Sequence, residues 1–386
     1  MDWKQEKRQY IAKSRRVVVK VGSAVLASGE GLDLDRVERL AAQLAAVHDT
    51  GREVILVSSG AVAAGRGVMR AKRAITTTDL PNKQAAAAIG QSRLMHAYDQ
   101  AFASRGKVSA QVLLTRDDMR SRQRFLNARN TFATLLEWGA IPVVNENDTV
   151  AVSELKFGDN DNLSGLLLNL TEADLFINLT SARGVFDADP GVNPDARVMD
   201  CIDDIRNLDV NALCGAKTAL GSGGMHSKLL AACRAAQIGV PTYIVPGREE
   251  GILERVFAEP DATLGTWVRP SGKAISSRKF WLAYNADAAG TLTIDAGAVK
   301  ALVKGGKSLL PAGIVAVSGN FGQGALVTIV GPGKEPVGVG LCNYAAGELR
   351  RVMGKSLAGR AGGKADEDVP YAEAVHRDNM LLHAAV

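Results

Sequence analysis

At 386 residues, 46% of them hydrophobic and 23% charged, the chain has the size and balance of a soluble globular protein of two domains. No apolar run approaches the roughly 18 residues of a membrane span, and residues 1–16 lack the apolar stretch of a secretory signal. A net charge of +5 suits small anionic substrates but is too diffuse to argue for nucleic acid alone. Cys201, Cys214, Cys233 and Cys342 show neither a CxxC pair nor metal-ligand spacing, which points to reduced thiols in a cytoplasm.

Taken in order, the charged residues 1–16 read as a loose extension. Residues 15–21 are β-branched and apolar, hence a strand that turns at Gly22-Ser23. Asp35 precedes the helical stripe Val37, Leu40, Ala41, Leu44 and Val47, closed by Gly51. A strand at 54–57 turns through Ser58-Ser59-Gly60-Ala61 into an Ala/Gly-rich helical stretch, and 84–96 reads as another helix. Then come a strand at 108–114, a helix around Phe125, Phe132 and Leu136, and a short buried strand at 141–144. The polar stretch 144–164 follows, ending in Asp159-Asn160-Asp161-Asn162. These residues run directly into Leu163, Leu166, Leu167 and Leu170, so they mark a helix start just past a strand's carboxyl end. A strand at 175–179, an irregular region at 181–221, a helix at 225–238 and a strand at 242–245 complete this part. Strands alternating with helices predict a parallel sheet covered on both faces, over residues 17–268.

Residues 269–278 are polar and read as a linker. Beyond them, short strands at 291–294, 314–317, 325–330 and 337–341 between Gly and Pro turns, with helices near 298–303 and 345–353, predict a small mixed β domain over 279–358. Residues 359–386 read as a loop-like tail.

Four loops at strand ends carry residues suited to an anion. In Lys20-Val21-Gly22-Ser23 a lysine leaves a strand beside a glycine, although a snorkelling lysine has the same pattern. Ser58-Ser59-Gly60-Ala61 places hydroxyls at a helix start, where they suit an anion or a plain cap. Gly221-Ser-Gly-Gly-Met-His-Ser-Lys228 is a glycine-rich loop opening a helix, with His226 more a loop residue than a catalyst. The fourth is the 144–164 stretch, with carboxylates and amides in a position where α/β sheets bind ligands. Neither GxGxxG nor GxxxxGK[ST] occurs, so neither a dinucleotide fingerprint nor a P-loop is supported. Two lysines, anion sites and clustered carboxylates suit phosphoryl transfer, which needs positioning and charge neutralisation more than covalent help.

In this order, Lys20-Val-Gly-Ser, Val57-Ser-Ser-Gly-Ala-Val-Ala-Ala-Gly-Arg66, Gly90-Gln-Ser-Arg93, Arg124-Phe-Leu-Asn-Ala-Arg129, Val144-Asn-Glu-Asn-Asp148, Gly158-Asp-Asn-Asp-Asn-Leu-Ser164 and Gly223-Gly-Met-His-Ser-Lys228 resemble the glutamate 5-kinases of the amino-acid kinase family, from about Val17 to the end. The part after the linker, with Leu309-Leu-Pro-Ala-Gly-Ile314 and Ser318-Gly-Asn-Phe321, resembles a PUA domain, a small β domain often found in RNA-modifying enzymes. The resemblance implies an α/β/α parallel-sheet sandwich followed by that domain, and phosphorylation of the side-chain carboxylate of L-glutamate by ATP with Mg²⁺. It implies Lys20, Asp161 and Lys228 as catalytic, with Asp161 orienting the two lysines. It implies Ser59, Asn145, Asp148 and Asn160 on glutamate, and Lys20, Gly22, Thr180, Ser181 and the run Ser222, Gly223, Gly224, Met225, His226, Ser227 and Lys228 on ATP. Proline as feedback inhibitor and a homo-oligomer are further implications, and RNA contact through the PUA domain is a possibility outside catalysis. One departure is Thr180-Ser181, where the family usually has Thr-Asp. The competing readings are a kinase of this fold acting on another carboxylate or carbamate, and an RNA-binding regulatory protein with a vestigial kinase domain.

Overall fold

The computed structural model describes residues 2–29, 31–70, 79–151, 160–210, 213, 224–272, 274–284, 288–355 and 371–382. Two compact units divide the chain, Met1–Ala274 and Ile275–Val386.

The strands of the first unit are β1 (Arg16–Val21), β2 (Ala27–Ser28), β3 (Gly31–Leu32), β4 (Glu53–Ser58), β5 (Ser109–Leu114), β6 (Ile141–Glu146), β7 (Leu175–Thr180), β8 (Cys201–Ile202), β9 (Thr242–Pro246) and β10 (Thr266–Val268). β2 and β3 pair with each other; the rest form one sheet in the order β5-β6-β4-β1-β7-β9-β10-β8. From β5 to β9 every pairing is parallel. β10 runs antiparallel to β9, and β8 parallel to β10. Sequence reading missed this outer pair because two- and three-residue strands carry no readable period.

Alternate residues of one strand enter different cores, so both faces are covered. Tyr243, Val245 and Trp267 pack with Leu253 and Val256, whereas Ile244 and Val268 pack with Leu229, Ala232 and Ala236. Helix Leu80–Ala103 crosses helix Ala61–Arg70 at glycines. A Cβ on Gly90 would lie 1.8 Å from the Ala61 carbonyl oxygen, so no side chain fits there.

The N-terminus is not a loose extension. Trp3–Lys13 is a helix with Ile11 and Lys7 buried. Lys7 Nζ donates to the Ala262 carbonyl at 2.7 Å, Arg8 grips Asp261, and Glu6 meets Arg269. Trp3, Tyr10 and Ile11 pack on the first core beside these ion pairs, but among so many charged residues three apolar ones make a weak pattern. Arg269 also pairs with Asp203, and Ser271 N–H donates to the Ala236 carbonyl, so the first residues expected to be linker belong to this unit.

In the second unit, β11 (Gly290–Ile294), β12 (Ile314–Gly319), β13 (Leu326–Val330), β14 (Pro336–Leu341) and β15 (Met380–Leu382) form a sheet ordered β12-β11-β13-β14-β15. It is mixed, since β11 and β13 are parallel and the other pairs antiparallel. Two expectations need correction. Helix Ser277–Tyr284, with Phe280 and Leu282 buried, starts inside the expected linker. The expected tail supplies β15 and the buried Ala374, Val375, Met380 and Leu381. Its glycine-rich beginning hid a short apolar return. Among the described residues no helix is long and apolar enough to cross a membrane.

Candidate active site

Because β6, β4, β1, β7 and β9 are parallel, their carboxyl ends share one edge of the sheet. From β1 the chain continues toward β4 on one side, and from β7 toward β9 on the other, so the crevice between β1 and β7 is a topological switch point. Lys20 of β1 and Asn178 of β7 are direct register partners there. Both are polar between apolar neighbours in their strands, and both are buried.

They meet Asp161, in the first turn of helix Asn160–Thr171. Lys20 Nζ lies 2.5 Å from Asp161 Oδ1, and Asn178 Nδ2 donates to the same oxygen at 3.2 Å. Helix Met225–Gln237 approaches the other oxygen. Lys228 Nζ stands 3.0 Å from Oδ2 and Ser227 Oγ donates to it at 2.7 Å. Lys20, Asp161 and Lys228 are 2%, 0% and 7% exposed. Burial on its own pushes the Asp161 carboxyl up, but Lys20, Lys228 and the hydrogen bonds outweigh it and hold the group well below the usual carboxylate range. Two ammoniums around one carboxylate leave a buried net charge of +1, and two helix N-termini add positive potential beside it. This centre favours an anion. Gly22 lies beside this centre, where a Cβ would stand in ordinary contact, 3.8 Å from Lys20 Nζ. Gly224, with φ of +155°, starts the second helix in a conformation that side chains rarely adopt.

Asn160, one residue before Asp161, belongs to a second cluster. Its Nδ2 donates to Asn145 Oδ1 at 2.8 Å, Ser59 Oγ at 2.9 Å and the Ser58 carbonyl at 3.2 Å. Asn145 Nδ2 in turn donates to Gln91 Oε1 at 2.8 Å. Asp148, two residues past β6, is partly buried and has no ion pair among the described residues; burial pushes its carboxyl up. A carboxylate in that state favours a cation.

The structure thus brings Lys20, Asp161, Ser227 and Lys228 into one cluster, and Ser59, Asn145 and Asn160 into the adjoining one. Lys228 is a buried helical residue, not a loop lysine. Thr180 is buried at the end of β7 with its Oγ1 accepting from Ala182 N–H, Ser181 is exposed, and Met225 and His226 are half-buried in the first turn of their helix. Ser222, Gly223 and residues 152–159 lie outside the described residues. Sequence reading gave Asn178 and Gln91 no role. The signal for Asn178 was present, an amide inside Leu175-Phe-Ile-Asn-Leu. Gln91 stands in the motif Gly90-Gln-Ser-Arg93 that carries the family resemblance, but nothing local in the sequence names its partner.

Two family models cover most of this chain, the amino acid kinase family over residues 15–246 and the PUA domain over residues 290–358. The chain belongs to the amino acid kinase family. Among similar family members is the glutamate 5-kinase of Oleidesulfovibrio alaskensis, 59% identical over 386 residues and covering 100% of both chains. That of Nitratidesulfovibrio vulgaris (strain DP4) is 57% identical over 390 residues, again covering 100% of both. That of Geobacter sulfurreducens is 44% identical over 379 residues, covering 96% of this chain and 98% of its own.

Proposed function

We propose that this member of the amino acid kinase family phosphorylates the side-chain carboxylate of L-glutamate with ATP, giving L-glutamyl 5-phosphate, the first step of proline biosynthesis. The observation that carries the chemistry is the buried Lys20–Asp161–Lys228 triad of net positive charge, placed at the switch point and joined through Asn160 to a cluster of amides.

Glutamate's side chain has a pKa near 4.3, so the nucleophile is ionised at neutral pH and needs no general base. One carboxylate oxygen forms a bond to the γ-phosphorus of ATP while the bond to the bridging β,γ-oxygen breaks, and ADP leaves with that electron pair. The obstacle is bringing anion to anion. Lys20 and Lys228 lower it as fixed cations, and Asp161 holds both ammoniums in place without accepting a proton. Gly22, Gly224 and Ser227 frame the phosphates, and Thr180 and Ser181 border the nucleotide. Ser59, Asn145 and Asn160 receive glutamate, and Asp148 takes its α-ammonium, which separates an amino acid from a plain dicarboxylate.

The described residues do not fit a protein-held Mg²⁺. Both Asp161 oxygens are engaged, and no group of three His, Cys, Asp or Glu side chains gathers among the described residues. Mg²⁺ would enter on the phosphates of ATP, where it would neutralise part of their charge. Feedback by proline and a homo-oligomeric assembly belong to the same reading, in which the PUA domain takes no part in the chemistry. The reading is tested by ADP release: it should require glutamate and ATP together, and ADP release that ignores glutamate would refute it.

A further inference from the structure

We infer that Gln91 is a positioning residue of the glutamate subsite, acting through Asn145 on Asn160; this rests on the glutamate kinase reading above. Backbone groups settle the polarity of the network. Glu146 N–H can only donate, and it donates to Asn145 Oδ1 at 2.9 Å, so the oxygen of that amide faces it. The Ser58 carbonyl can only accept, so the nitrogen of the Asn160 amide faces it. Asn145 Oδ1 therefore receives both the Glu146 N–H and Asn160 Nδ2, and its own Nδ2 needs an acceptor inside the protein. Gln91 Oε1 is that acceptor, at 2.8 Å.

The consequence reaches the substrate. Asn160 Oδ1 is buried and has no hydrogen-bond partner among the described residues, while the two hydrogens of Nδ2 are shared among three acceptors. With the nitrogen pinned, the oxygen is presented to a donor, and the α-ammonium of an amino acid is a donor of the right charge. If Asn145 loses its partner, its buried Nδ2 is left unpaired, and it relaxes by turning away from Asn160. Asn160 then holds its oxygen less firmly.

Helix Leu80–Ala103 is built to keep Gln91 at this distance. Gly90 lets it pack directly on the Ala61 carbonyl. Seven residues on from Gln91, and so on the same helix face, Tyr98 is fully buried, and its hydroxyl lies 2.9 Å from Ser58 Oγ, in the residue whose carbonyl holds Asn160. Two side chains of one helix thus brace both backbone-fixed ends of the network.

The test is steady-state kinetics of Gln91→Met, which removes the acceptor at similar length. The KM for glutamate should rise roughly 5- to 150-fold, the range for one unpaired buried donor, with kcat and the KM for ATP within about 2-fold of the parent. An unchanged KM for glutamate, or an equal loss in every parameter, would overturn the assignment. In an Asn145→Ala background the same substitution should add less than about 2-fold; additive effects would show that Gln91 does not act through Asn145. Should Asn145→Ala not fold, the KM split of Gln91→Met alone decides. A parent enzyme inactive on glutamate would contradict both this assignment and the kinase reading. An active parent with an unaffected Gln91→Met variant would contradict only the role of Gln91.

Discussion

Asp148→Asn separates the substrate assignment from every structural explanation of the same residue, because it predicts opposite signs in two measurements. The substitution keeps size and most hydrogen bonding and removes only charge. If Asp148 pairs with the α-ammonium, the lost charge-assisted bond is worth roughly 1.5–3 kcal/mol, a rise in the KM for glutamate of about 10- to 150-fold. The KM for ATP should stay nearly constant. Stability should move the other way. Burial raises the folded pKa of Asp148 above its unfolded value, so the ionised group penalises folding at all pH values above that unfolded value. Asp148→Asn should therefore melt above the parent at neutral pH, and the difference should vanish as pH falls through about 3.9, the ordinary aspartate value. In the parent, kcat/KM for glutamate should fall on acidification more steeply than in the variant, whose loss follows only the protonation of glutamate's own side chain near pH 4.3. Steady-state kinetics at several pH values and parallel thermal melts supply all of these readings. Normal glutamate binding with a fall confined to kcat would place Asp148 with the Asp161 group and refute the reasoning.

The triad makes a matched pair of predictions. Lys228→Met should lower kcat roughly 10²-fold or more while leaving the Lys20–Asp161 pair neutral, whereas Asp161→Asn strands two buried ammoniums and should cost about 3–5 kcal/mol of stability. Thermal melts and turnover together check the pair, and near-normal turnover of Lys228→Met would remove that residue from the mechanism. Ser181→Asp should change the KM for ATP more than that for glutamate; the reverse would mean Ser181 does not face nucleotide. Truncation after Ala274 should leave measurable kinase activity in a folded protein. The cut belongs there because the bonds of Arg269 and Ser271 tie residues beyond Val268 to the first unit. A folded but wholly inactive product would show that the second unit completes the site.

Much of this architecture was legible because parallel strands buried on both faces leave continuous apolar runs, as in β4 and β7. Where those runs carry Lys20 or Asn178, the polar interruption marks the site. Lys20 was noticed because a glycine follows it; Asn178 was passed over because its neighbours explained the strand without it. The Asp161 cluster was readable as residue types at helix starts, but its geometry joins residues 20, 161, 178 and 228, whose proximity only the sheet order creates. Three kinds of element stayed hidden. β8, β10 and β15 are too short for a period, the N-terminal helix has only three apolar residues on its docking face among many charges, and Gln91 acts on a residue 54 positions away. Long-range hydrogen bonds leave no local pattern.

The central claim is that a buried cationic centre phosphorylates the side-chain carboxylate of an amino acid, and trapping the product as a hydroxamate tests it most directly. Parent protein with ATP, Mg²⁺ and hydroxylamine should form hydroxamate with L-glutamate, far less with glutarate, which lacks the ammonium, and none without ATP. Hydroxamate from a different acid in preference to glutamate, or none from any acid tried, would contradict the account.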